Sequence, residues 1–129
     1  MDDVNLAPLV GILGCVGVIV ALLYPYVAAD GSVATYYGSG LVNPLVAGLL
    51  ALVTIIVLAA GREARTDPGI AAGAGLVFGL FIFLMTLGWG MTTRLDAVAI
   101  SELHRWVVPL LALLIPVGSL WYSRALGVF

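Results

Sequence analysis

The sequence predicts an all-α integral membrane protein, a bundle of four transmembrane helices, and three observations lead to this class. Hydrophobic residues make up 63% of the 129-residue chain, whereas charged residues make up only 9%. A soluble domain has about 45–50% apolar and about 25% charged residues, so this composition excludes a water-soluble monomer. The apolar residues also form four stretches, each long enough to cross a bilayer. We therefore expect residues 1–129 to form a single membrane domain.

Four spans are predicted, at about residues 6–27, 44–60, 68–91 and 106–122. Asn5 is a candidate N-cap for the first span. Asn43-Pro44 and Asp67-Pro68 have a capping residue followed by proline at the first helical position, which is typical of a helix start. Gly61 is expected to end the second span, because glycine is common just beyond a helix C-terminus.

The basic residues predict the orientation. With four spans, both termini and the loop at 61–67 lie on one side of the membrane, which would hold Arg62, Arg65 and Arg124. The other side would hold Arg94 and Arg105, and the chain has no lysine. Because cytoplasmic loops carry an excess of basic residues, we expect a multi-pass protein of the cell membrane with both termini in the cytoplasm.

Aromatic residues cluster at the ends of the predicted spans. Tyr24 and Trp89 fall near the ends of the first and third spans, and Tyr122 falls at the end of the fourth. Amphipathic rings prefer the headgroup region of a bilayer. We therefore expect these side chains to anchor the spans at the two membrane interfaces.

Small residues predict where the helices approach one another. Seven glycines at spacings of three or four form candidate packing strips on the first and third spans: Gly11, Gly14, Gly17, Gly69, Gly73, Gly75 and Gly79. Helices in lipid associate through such strips, so the first and third helices should make the closest contacts. The motif leaves open whether those contacts lie within one bundle or between subunits.

In the fourth span, Pro116 predicts a kink because it removes a backbone donor.

The spans offer little for chemistry. They contain no charged residue, which argues against a proton pump and against an ion-coupled transporter acting alone. Their serine and threonine hydroxyls, Thr54, Thr86 and Ser119, can each bond to a carbonyl of their own helix. One cysteine and one histidine exclude an intramolecular disulfide and any site that needs two imidazoles from one chain. We predict no catalytic residue, no metal, no cofactor and no enzymatic activity.

Polar residues collect in the loop before the fourth span. The candidate outer cluster consists of Arg94, Asp96, Glu102, His104 and Arg105. His104 could bind a metal or sense pH, although a lone histidine at a membrane boundary is more often an ordinary interfacial residue. In the other long loop, Asp30-Gly31 lies between β-prone runs at 26–27 and 33–37, which predicts a short β-hairpin.

Several short motifs carry a resemblance to known sequences. They are the acidic start Met1-Asp2-Asp3, the segment 36–40 leading to Asn43-Pro44, the turn 61–63 with Thr66-Asp67-Pro68, and His104-Arg105-Trp106. Over its whole length the chain resembles small uncharacterised four-span membrane proteins of haloarchaea. The resemblance implies a source and a four-span architecture, and it assigns no role to any residue.

Two functional hypotheses follow. The leading one is a non-enzymatic structural or accessory membrane protein that acts through helix packing and outer-loop contacts, as an oligomer or as a subunit of a larger complex. The alternative is a small oligomeric channel or transporter for neutral or apolar solutes. The expected partners are the lipid bilayer and either a second copy or another membrane protein. The net charge of -2 is too small to suggest nucleic acid.

Overall fold

The computed structural model describes residues 3–28, 30–31, 43–92, 98–99 and 104–127. Four helices account for most of them: α1 (Asp3–Ala28), α2 (Pro44–Arg62), α3 (Pro68–Thr92) and α4 (His104–Ala125). All four are long and apolar enough to cross a membrane, which supports a multi-pass membrane protein. Each predicted span lies within one of these helices. We call the end of the bundle at which α1 ends and α4 begins the outer end, and the opposite end the inner end.

The starts of α2 and α3 follow the predicted capping pattern. The Oδ1 atom of Asn43 accepts the N–H of Leu45 at 3.0 Å. The Oδ1 atom of Asp67 accepts the N–H of Gly69 at 3.1 Å, and each helix begins at the proline that follows. The prediction for α1 is wrong, because α1 already begins at Asp3 and Asn5 therefore lies inside it.

The end of α2 differs from the prediction that Gly61 terminates it. The helix continues one residue further, and Ala64 adopts the left-handed conformation with φ 56°. The N–H of Arg65 bonds to the carbonyl of Ala60 at 2.8 Å, which completes a C-terminal cap of the Schellman type. Gly61 is buried, and a Cβ atom there would overlap the side chain of Ala71. The close contact between α2 and α3 therefore requires a glycine at position 61.

A two-residue antiparallel pairing joins the two outer segments. Strand β1 (Asp30–Gly31) pairs with β2 (Val98–Ala99), with Asp30 opposite Ala99. The predicted hairpin is not supported, because residues 26–27 belong to α1 rather than to a strand. Its other predicted strand, at 33–37, lies outside the described residues. The pairing therefore connects the segment after α1 to the segment before α4.

The four helices form a ring in which each packs against two others. α4 makes the most extensive contacts, with α1 on one side and α3 on the other, and α2 closes the ring between α1 and α3. The prediction that the first and third helices pack most closely is wrong within one chain, since they occupy opposite corners. Gly14, Gly17 and Gly79 face α4 instead, where Leu111 and Ile115 fill the space left by missing Cβ atoms.

The closest approach of α1 and α4 joins one glycine to another. A Cβ atom on Gly118 would lie 2.7 Å from the backbone nitrogen of Gly11 and 3.2 Å from the carbonyl oxygen of Ala7. A Cβ atom on Gly14 would lie 2.9 Å from the Cβ atom of Leu114. The two backbones are therefore in direct contact, and Gly118 is a packing residue that the glycine spacing in the sequence did not reveal.

The glycines of α3 face two directions. A Cβ atom on Gly79 would lie 2.8 Å from the backbone nitrogen of Pro116, whereas nothing lies within 4 Å of the same position on Gly73. Positions 73 and 75 differ by two residues, or about 200° around a helix, so they lie on nearly opposite faces. α4 is helical through Pro116, and the kink there stays a prediction.

These contacts predict opposite outcomes for two alanine substitutions. Gly118→Ala should destabilise the bundle by about 1–3 kcal/mol, because the added methyl group meets backbone atoms that no side-chain rotation can move. Gly73→Ala, which adds the same methyl group where nothing in the bundle lies within 4 Å, is the matched control and should not destabilise the bundle itself in a detergent that dissociates any oligomer. Thermal unfolding in detergent, followed by helical circular dichroism, measures both. Equal effects of the two substitutions would contradict the packing described.

Candidate functional site

His104 is buried at the outer end of the bundle. It is the first residue of α4 and is only 7% exposed. Its Nε2 atom lies 2.6 Å from the carbonyl oxygen of Ala21 in α1. Because a carbonyl oxygen can only accept, Nε2 must carry a hydrogen and donate it. The imidazole thereby joins the start of α4 to the last turns of α1.

A proline explains why this carbonyl needs a partner from another helix. In a regular α-helix, the carbonyl of residue 21 accepts the N–H of residue 25. Residue 25 is Pro25, which lies inside α1 and has no N–H. A backbone carbonyl left unpaired in an apolar environment costs several kcal/mol. His104 supplies the donor that Pro25 lacks, so the two residues form one local unit although they are far apart in sequence.

Two aromatic rings surround the imidazole. The ring of Tyr24 is stacked on it, with centroids 6.2 Å apart and an interplanar angle of 25°. The ring of Trp89 meets it edge-on, at 6.0 Å and 85°. The site therefore brings together α1, α3 and α4. Trp89 is fully buried, so its prediction as an interfacial anchor is wrong, whereas Tyr24 is exposed as an anchor should be.

Burial controls the protonation of His104. Desolvation lowers its pKa below the ordinary value of 6.5, and the hydrogen bond to Ala21 acts in the opposite direction with a smaller effect. The histidine is therefore neutral at pH 7, with its hydrogen on Nε2. At acidic pH the second proton would bind to Nδ1, and the charged ring would then lie in a buried site.

The rest of the predicted outer cluster cannot be placed around His104. Arg94, Asp96 and Glu102 lie outside the described residues, and Arg105 belongs to α4 but its side chain is not described. Within the part of the chain that is described, no group of three His, Cys, Asp or Glu residues could hold a metal ion. The contacts of His104 with Trp89 and with the carbonyl freed by Pro25 could not be found from the sequence.

Among the residues that the structure describes, two buried hydroxyls in the inner half of the bundle have no hydrogen bond. Thr54 and Thr86 bond to carbonyls of their own helices at 2.8 and 2.9 Å, as predicted. Ser119 does not, so that prediction is wrong: its Oγ atom points to α3, 2.6 Å from where a Cβ atom on Gly75 would lie. The Tyr122 hydroxyl is also buried and unpaired, so Tyr122 is not an interfacial anchor.

Comparison with known proteins gives a family. A family model matches residues 1–127, which include all four helices. The chain belongs to DUF7548, a family of unknown function. No curated protein and no solved structure matches it. Membership in DUF7548 adds no role for a residue, so the two polar sites above have to be judged by their geometry.

The histidine contact predicts a pH-dependent stability. The folded pKa of His104 lies below its unfolded value, so the unfolded chain takes up the proton first and stability falls as the pH drops below about 6.5. His104→Gln retains a donor but cannot titrate. Unfolding temperatures from pH 7.5 to 5.5 should therefore fall more steeply for the wild-type protein than for this variant. Parallel curves would contradict the role of His104 in the pH response.

The orphaned serine predicts a stabilising substitution. Ser119→Ala removes a buried hydroxyl that has no partner, so the free energy of unfolding should rise by about 1 kcal/mol or more. Thr86→Ala is the matched control and should not stabilise, because that hydroxyl is hydrogen-bonded. Chemical unfolding in mixed micelles measures both changes. A loss of stability in Ser119→Ala would contradict the assignment of this hydroxyl as an unpaired buried group.

Proposed function

We propose that this protein is a non-enzymatic structural or accessory component of the membrane, which acts by associating with a second copy or with another membrane protein. The unoccupied space beside Gly73 is the observation that supports this proposal most. The glycines at 11, 14, 17, 75 and 79 all contact another helix of the same bundle, whereas nothing lies within 4 Å of a Cβ position on Gly73. Gly73 is available for a contact that the bundle itself does not use.

The surroundings of Gly73 suit a helix–helix contact in lipid. Gly69 lies four residues before it and Val77 four residues after it, so the three share one face of α3. Ile70 and Val77 are exposed on this outward side and would pack beside the glycines. Because small residues let two helix backbones approach closely in a bilayer, a second copy of α3 fits this face by a two-fold contact.

The interior of the bundle bears on the alternative, a small channel or transporter for neutral or apolar solutes. Val18, Leu58, Ile82 and Ile115, one from each helix, are fully buried. Gly11 and Gly118 bring two backbones together nearer the inner end. A solute path would therefore have to run between subunits, so the alternative also requires association.

We also infer that the protein lies in a haloarchaeal cell membrane, with both termini in the cytoplasm. The resemblance to haloarchaeal four-span proteins supports the source. The excess of arginine at the inner end, with Arg62, Arg65 and Arg124, supports the orientation.

The mass of the detergent-solubilised particle tests the proposal. Light scattering combined with absorbance separates the protein mass from the detergent, and we expect a defined oligomer for the wild-type protein. Gly73→Leu should shift it to the monomer, because the added side chain blocks close approach. Leu110→Phe, which adds bulk at an equally outward position on α4 that is 65% exposed, is the control and should keep the oligomer.

Two results would overturn the proposal. One is a strict monomer from which crosslinking in native membranes captures no partner. The other is solute uptake or leak into liposomes above that of empty ones, lost in Gly73→Leu, which would support the channel hypothesis instead. Association of the wild-type protein without solute flux would support the accessory function.

A further inference from the structure

We infer that the inner end of α2 carries a binding site for an anionic phospholipid, with its phosphate at Arg65 and one chain in an adjacent groove. The groove has a volume of about 480 Å³. Its apolar part is formed by Ile55, Ile56, Ala59 and Ala60, and its polar end is formed by Glu63 and Arg65. An apolar groove that ends at charged side chains, one of them an arginine, matches a lipid, which has a chain at one end and a charged headgroup at the other.

The backbone fixes Arg65 at the mouth of this groove. The N–H of Arg65 bonds to the carbonyl of Ala60, and Ala64 adopts the left-handed conformation just before Arg65. This cap directs the chain back over the last turn of α2. The position of Arg65 relative to Ala59 and Ala60 is therefore set by main-chain hydrogen bonds, so a substitution of its side chain leaves the site's frame intact.

Of the two charged side chains that line the groove, Glu63 is paired with Arg62, which leaves Arg65 to meet a phosphate. Arg62 is engaged, since its Nε atom donates to the carbonyl of Asn5 at 3.1 Å and its Nη1 atom lies 3.6 Å from the Glu63 carboxylate. Asp67 accepts the N–H of Gly69. Within the described residues, Arg65 makes no ion pair, and its side chain is exposed. A guanidinium group binds phosphate oxygens in a bidentate manner, which makes Arg65 the natural headgroup ligand.

The length of the groove fits one leaflet. From Ile55 to Glu63 the helix rises about 12 Å, at 1.5 Å per residue. The hydrocarbon core is about 30 Å thick, so one leaflet contributes about 15 Å. A lipid chain that lies along α2 from the inner boundary would therefore cover the groove while its phosphate stays at the level of Arg65. Ala59 and Ala60 keep the floor of the groove low enough for the chain to enter.

Native mass spectrometry of the detergent-solubilised protein tests the inference. With phosphatidylglycerol and phosphatidylcholine of the same chain lengths, we expect preferential retention of phosphatidylglycerol. Arg65→Gln should weaken this retention about tenfold. Ala59→Leu, which fills the floor of the groove and leaves Arg65 in place, should weaken it as well. Arg124→Gln is the control, because Arg124 is an exposed arginine at the same inner end outside the groove.

Each of the following results would contradict the proposed lipid site. Equal losses in Arg65→Gln and Arg124→Gln would mean that surface charge alone retains the lipid. Unchanged retention in Ala59→Leu would mean that no chain occupies the groove. Retention of inorganic phosphate at Arg65 in the same experiment, without a preference for phosphatidylglycerol, would mean an anion contact only. Helical circular dichroism of all variants confirms that they are folded, and the result does not depend on whether the protein self-associates.

Discussion

The contact between the backbones of α1 and α4, at Gly11 and Gly118, is the constraint on which the rest of the bundle depends. Lipid tails are as apolar as leucine, so no hydrophobic effect drives these helices together, and close packing must supply the attraction. Dispersion falls steeply with separation, so a gap of even 1 Å would forfeit much of it. With α4 held against α1 at this distance, Gly75 and Gly79 bring α3 equally close on its other side, and α2 closes the ring.

The outer end is held by a different interaction. There Pro25 leaves the carbonyl of Ala21 without its helical partner, and His104 satisfies it from another helix at 2.6 Å. A hydrogen bond of this kind is directional, so it fixes the rotation of α4 about its axis as well as its distance from α1. Packing of small residues along the bundle and the buried hydrogen bond of His104 at the outer end together determine how α4 is placed.

Much of the architecture could be predicted from the sequence because it depends on local rules. Hydropathy located four helices, and Asn43 and Asp67 marked two of their starts. Gly61 was misjudged, since a glycine required by a neighbouring helix looks the same in sequence as one that ends a helix. The outer site was missed for a similar reason: Pro25 and His104 are each unremarkable alone, and only the fold places the acceptor that one exposes against the donor that the other carries.

The glycines of α3 show where sequence information ends and tertiary structure decides. The pairs 69/73 and 75/79 are offset by six positions, so the sequence already specifies two smooth faces about 120° apart. Either face could have met α4. The choice is made by α4 itself, because Ser119 and Pro116 occupy the space that Cβ atoms at 75 and 79 would need. A helix built with two such faces can complete its own bundle with one and still offer the other to a neighbour in the bilayer.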